Sequence, residues 1–175
     1  MEFRPLKENE IEIRVGTISE TGLTLLLFKN ARVDMEILDE VVGPMNWDRD
    51  HKEMKGNIYC GVSIYDKDKD DWTTKWDAGK ESNTEAEKGE ASDSFKRACV
   101  NWGIGRELYT SPLIWVPIEK CKIFRNKKGK LATNDKFYVE KITYKNKEID
   151  GLSIKNNRGE RVFVKKPQEV RNENN

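Results

Sequence analysis

The sequence predicts an α+β fold: a β-hairpin, a helix, a three-stranded antiparallel meander and a long helix, with a small β-meander appended at the C-terminal end. Three observations predict it. Apolar residues alternate at every second position around residues 11–28 and 57–78, the period of a half-buried strand. They recur at helical spacing in 31–42 and 91–102, and they alternate again beyond residue 137.

The first alternation, Ile11, Ile13 and Val15, is separated by SETG from Leu23, Leu25 and Leu27, which reads as a hairpin. Asn30 is an N-cap for a helix of about a dozen residues carrying Ala31, Met35, Leu38 and Val42, closed by Gly43 and Pro44. Arg32 lies in its first turn, where the helix dipole disfavours a cation; it has either an anionic partner or the solvated place of an ordinary surface arginine. Met45 to Met54 is a polar, edge-like strand. Asn57 to Asp66 sets Ile58, Cys60, Val62 and Ile64 on one face and Tyr59, Gly61, Ser63 and Tyr65 on the other; Trp72, Thr74, Trp76 and Ala78 complete a meander.

The stretch from Thr84 to Tyr109 reads as one helix ending in a glycine-rich stop. Thr84 and Glu87 form a capping box, and Glu85, Glu87 and Glu90 suit the positive end of the helix dipole. Ala91, Phe95, Ala98, Cys99 and Trp102 mark one apolar face, and Gly103 tolerates the left-handed stop. Lys96 and Arg97 flank that face about 100° apart around the axis, an exposed pair. Taken alone, they read as solvated residues bordering a buried stripe. Both helices are expected to pack on sheet.

SPLIWVPI, broken by two prolines, is extended, and CKIFRNKKGK is basic with no acidic residue. FYVEKITY, IDGLSI and RVFV make the C-terminal meander, and PQEVRNENN a frayed tail. The expected organisation is a core over 10–116, a basic β extension over 117–166 and a tail over 167–175.

The chain of 175 residues is near neutral at +1, but residues 119–175 hold 16 Lys and Arg against 8 Asp and Glu. That surplus of +8 leaves 16 against 23, or −7, for residues 1–118. An anionic partner for the basic part, or charge pairing between the parts or between subunits, accounts for such a split equally well. No run of 18 apolar residues offers a membrane span and MEFRPLKENE has no signal-peptide character, so the expected location is intracellular. Cys60, Cys99 and Cys121 lack metal-type spacing and are expected as reduced thiols.

Several motifs fall away on inspection. Asp66, Asp68, Asp70 and Asp77 stand at calcium-loop offsets, but Asp71 occupies the position that needs glycine, so the segment reads as a solvated turn. GIGREL ends a helix instead of opening one after a strand, which excludes a dinucleotide site. No phosphate-binding GxxxxGK[ST] motif occurs, so no nucleotide cofactor is expected. His51, the only histidine, has no marked catalytic or zinc partners.

KGEASDSFKRACVNWGIGRELY, with WDAGKES upstream and NARVDMEILDEVVGPMNW before the meander, resembles the Rad52/Rad22 family of DNA single-strand annealing proteins, and among them the short phage-type, Sak-like members. The resemblance covers residues 10–116 and is most specific from Asp93 to Tyr109. It implies a β-β-β-α core that assembles into homo-oligomeric rings and binds single-stranded DNA in an outer basic groove without hydrolysing nucleotide. Lys96 and Arg97 fall on the family's phosphate-contacting pair and Arg32 near a further such arginine; Arg106 and Lys88 complete the candidate contacts. Val100 stands where eukaryotic members carry another arginine, and Pro44 where they carry an aromatic. Arg106 and the 122–130 run are the cations available to compensate.

The expected function is therefore ATP-independent annealing in homologous recombination and double-strand break repair, from a phage or prophage source, without catalytic residues or a metal. An exonuclease or a single-stranded DNA coating protein would be a further partner. Two other readings remain: a coating or recruitment protein that does not anneal, and a Mg²⁺-dependent nuclease using the Asp66 to Asp77 carboxylates.

Overall fold

The computed structural model describes residues 1–80 and 86–168, with the side chains of residues 86–88 left aside. In chain order the elements are β1 (Glu12–Ser19), β2 (Gly22–Phe28), α1 (Ala31–Val42), β3 (Trp47–Met54), β4 (Asn57–Asp66), β5 (Asp71–Ala78) and α2 (Ala86–Trp102). β6 (Ile114–Pro117), β7 (Phe124–Arg125), β8 (Leu131–Ala132), β9 (Phe137–Lys145), β10 (Glu148–Asn156) and β11 (Arg161–Lys165) follow. The chain is α+β, with two α-helices and antiparallel strands in small sheets among the described residues.

Two compact units divide it. The first holds Met1–Leu6 and Lys29–Arg106, and the second holds Lys7–Phe28 and Glu107–Asn175. In the first, β3, β4 and β5 form an antiparallel sheet in that order, and α2 lies on β4 and β5. Cys60, Val62 and Ile64 are buried on the face that meets Phe95, Ala98 and Cys99, as the alternation predicts. Trp47 stacks on Phe95 with ring centroids 6.2 Å apart, and the Trp102 indole donates to the Val62 carbonyl at 2.9 Å.

α1 is capped as expected: the Asn30 side chain accepts from the Arg32 and Val33 amides. Its buried face is different. Val33, Ile37 and Leu38 are buried with Asp34, while Ala31, Met35 and Val42 are only half-buried. The helix packs chiefly on α2 and only lightly on β3. The buried face is the one turned toward α2, so the partner helix and not a sheet decides which side of α1 is covered.

α2 ends at Trp102, short of Tyr109. Gly103 takes φ 106°, and the remainder, Arg106–Thr110, is a separate 3₁₀ turn. The expected capping box at Thr84 and Glu87 lies outside the described residues.

In the second unit β1 and β2 form the expected hairpin, and β2 pairs onward with β6, so the IWVP part of SPLIWVPI is a sheet strand. β9, β10 and β11 form the C-terminal meander, and β7 and β8 a short hairpin. Glu140 ties the meander together, accepting from Arg161, Lys155 and Ser153, which hold its carboxyl well below the usual range.

Candidate nucleic-acid interface

Lys96, Arg97 and Arg106 sit at or just after the C-terminal half of α2, and the sequence fixes that half tightly against β5. Lys75 donates to the Asn101 carbonyl at 3.0 Å, and the Asn101 amide donates to the Trp76 carbonyl at 3.0 Å. Arg97 Nε donates to Asp77 Oδ1 at 3.2 Å. Just past the C-terminal end of β5, Gly79 lies flat on the helix: a Cβ there would stand 2.1 Å from the Glu90 carbonyl oxygen. Glu90 is buried and accepts from the Ile58 amide at 2.7 Å. Asp77 and Gly79, inside the WDAGKES block, thus set how α2 docks and where Arg97 points.

Lys96 and Arg97 are less exposed than their position on the helix flank predicts. Their side chains keep 20% and 39% of their accessible surface. Each faces a carboxylate, Lys96 at 3.8 Å from Asp93 and Arg97 at 3.2 Å from Asp77. The helix is packed between α1 and β5, so flanking positions become half-buried walls. Ion pairs of this exposure contribute about 0–1 kcal/mol, so a phosphate can displace either carboxylate at little cost.

Arg106 folds back on α2. Its Nε and Nη2 donate to the Val100 carbonyl at 3.2 and 2.9 Å, and Nη2 reaches the Asn101 carbonyl at 3.1 Å. It neutralises the negative end of the helix, and its Nη1 makes no hydrogen bond among the described residues. Its guanidinium lies over Val100, the position without a basic side chain. Arg32 is exposed on the first turn of α1 and has no ion pair among the described residues. The side chain of Lys88 lies outside the described residues.

A buried ion pair, Lys29 with Asp34, underlies the site and was not anticipated. Lys29 is 5% exposed and Asp34 is fully buried. The Lys29 ammonium also donates to the Lys96 carbonyl at 3.3 Å, so it joins the N-terminal end of α1 to α2. Gly105, at φ 70°, lies against the Lys29 stem; a Cβ there would approach its Cε to 2.4 Å. This contact accounts for the second glycine of GIGREL. Asp34 Oδ2 is buried without a hydrogen-bond partner. Burial pushes the Asp34 carboxyl up to about 6, although the Lys29 charge and hydrogen bond and the more distant Lys96 pull it down.

Other candidates resolve simply. Asp66 pairs with Lys69 at 3.1 Å and the Tyr65 hydroxyl donates to Asp70, giving a hairpin turn. Among the described residues no group of three or more His, Cys, Asp or Glu side chains is placed to hold a metal ion. His51 is exposed on β3, its Nε2 3.2 Å from the Ala91 carbonyl oxygen. The three cysteines are free and buried, and burial raises each thiol, Cys60 to about 11. No helix among the described residues is long and apolar enough to cross a membrane.

No curated protein and no solved structure matches the chain. A family model does, that of the Rad52/22 family double-strand break repair protein, over residues 4–122. The match takes in α1, the β3–β5 sheet and all of α2 and ends at the start of the basic 122–130 run. The chain belongs to the Rad52/22 family, whose work is DNA recombination and repair.

Proposed function

We propose that the protein anneals complementary DNA single strands without ATP, in homologous recombination and double-strand break repair, and that Lys96, Arg97 and Arg32 contact phosphates. Arg106 adds a contact through its open Nη1, and Lys88 another from the first part of α2. The observation that carries the reading is the family match, which spans the whole of α2 and the sheet beneath it. The chemistry suits the task. Annealing requires a sequence-independent grip that still releases strands, and half-buried cations with weak carboxylate partners give a grip of that kind.

Within this reading residues 10–116 are the annealing core, a β-β-β-α unit, and 117–166 a basic extension. The protein works as a homo-oligomeric ring of the phage Sak-like type, in the cytoplasm of a bacterial host, with no catalytic step. Few phosphate contacts per subunit become durable binding when multiplied round a ring. β3 and β5 are the edge strands of their sheet, and such edges offer backbone groups to a neighbouring copy.

The test is a strand-annealing assay with labelled complementary oligonucleotides and no nucleotide. Annealing well above the spontaneous rate is expected from the wild type. Lys96→Ala combined with Arg97→Ala should remove it while the circular dichroism spectrum is kept. Spontaneous rates from the wild type would leave a coating protein instead, and wild-type rates from the double variant would remove the site assignment.

A further inference from the structure

The segment around the end of the family match carries a concentrated charge that the phosphate contacts proposed on α1 and α2 do not use. From Lys120 to Asn134 there are six cations, Lys120, Lys122, Arg125, Lys127, Lys128 and Lys130, and no acidic residue. Local structure holds them in place. Phe124 and Arg125 of β7 pair with Ala132 and Leu131 of β8. At the tip, the Asn126 side chain accepts from the Lys128 amide at 2.9 Å and the Lys130 amide at 3.1 Å, and Arg125 Nη1 donates to the Gly129 carbonyl at 3.0 Å. Gly129 supplies the left-handed residue, φ 72°, that closes the turn.

A merely solvated charge run has no need of such an ordered turn. Here Arg125 pairs with Glu20 at 2.6 Å, both side chains well exposed, and Lys122, Lys127, Lys128 and Lys130 have no ion pair among the described residues. Between them Phe124 leaves 42% of its surface in solvent. Lysines without ion pairs on an ordered hairpin that also carries an exposed aromatic ring match the backbone and unpaired bases of a single strand: phosphates take the cations and a base takes the ring. A duplex keeps its bases stacked and has no use for the ring.

We infer that the β7–β8 hairpin is a separate single-stranded nucleic-acid contact, with Lys127, Lys128 and Lys130 on phosphates and Phe124 under a base. The inference rests on the single-strand binding proposed above, and its test keeps the two apart. Binding of a labelled oligothymidylate and of a duplex of equal length is measured across salt for the full chain. Replacing Lys127, Lys128 and Lys130 by Ala should lower the single-strand salt slope of log K by about 2, at about 0.7 for each phosphate. Phe124→Ala should weaken single-strand binding about 5- to 150-fold, with slope and duplex binding unchanged. An unchanged slope in the triple variant overturns the contact, and an unchanged single-strand affinity for Phe124→Ala overturns its preference for unpaired bases. The Lys96→Ala, Arg97→Ala variant runs alongside: if it keeps the wild-type slope while the hairpin variant loses slope, the groove reading falls and the hairpin stands, and the reverse result does the opposite. A wild type that binds no single strand at low salt removes both.

Discussion

Two basic regions of this chain solve opposite problems. Around α2 five cations are tied into the fold: Lys29 to buried Asp34, Lys75 and Arg106 to helix carbonyls, Lys96 to Asp93 and Arg97 to Asp77. In the β7–β8 hairpin the backbone is ordered while four of the five cations of residues 122–130 have no ion pair among the described residues. Charge around α2 is therefore part of stability, and any ligand must compete with carboxylates already present. Charge on the hairpin is surplus to folding. The difference separates cations that position from cations that are available, a distinction that net charge alone hides.

Breaking the buried pair should give the largest effect. Lys29→Ala leaves Asp34 buried without its partner and should lower the unfolding free energy at pH 7 by about 3–5 kcal/mol. Lys29→Met with Asp34→Leu should recover most of that loss, because an apolar pair avoids the desolvation of two charges. Replacing the three hairpin lysines by Ala should change stability by about 0.5 kcal/mol or less. Urea unfolding of these variants checks the comparison, and a hairpin variant as costly as Lys29→Ala would dissolve it.

The next effect in size is a pH dependence. The Asp34 carboxyl lies at about 6 in the folded protein against 3.8 for an ordinary Asp. The folded state thus holds this proton more tightly, so the stabilisation is full below pH 3.8 and is lost as pH rises through about 6. Lys29, Lys96 and Cys99 are the groups that share its field. Relative to Asp34→Asn, the wild type should lose stability on the order of 3 kcal/mol between pH 4 and pH 7. A flat difference would mean that Asp34 stays ionised throughout.

Much of this was legible in the sequence, and the reasons differ by element. Strand alternation placed β4 to the residue, because burial on one face enforces period two. The Asn30 cap was read correctly, since capping is a local hydrogen-bond requirement. The buried face of α1 was not, because it depends on α2, a partner far along the chain. Trp72 and Trp76, on the alternation that marks β5, keep much of their surface, and Trp76 lies over Gly61. At the site, Lys96 and Arg97 came from the family resemblance. Asp77 was read as a calcium-loop offset or a nuclease carboxylate and not as a partner of Arg97, though WDAGKES had singled out its neighbourhood. No periodicity could pair Lys29 with Asp34 across a helix cap.

The smallest predicted effect tests whether the α2 carboxylates restrain binding. Asp93 accepts from the Lys80 amide at 3.1 Å while facing Lys96 at 3.8 Å. Asp93→Asn keeps an oxygen for the Lys80 amide and removes the charge, so the loop stays anchored while Lys96 loses its competitor. Single-strand affinity should rise about two- to fivefold, the range that a weak exposed pair allows. The gain should shrink as salt screens the carboxylate. In the Lys96→Ala background the same substitution should do little, because the competition it relieves is gone, and an equal gain there would show that Asp93 acts through the general field of the protein instead of through Lys96.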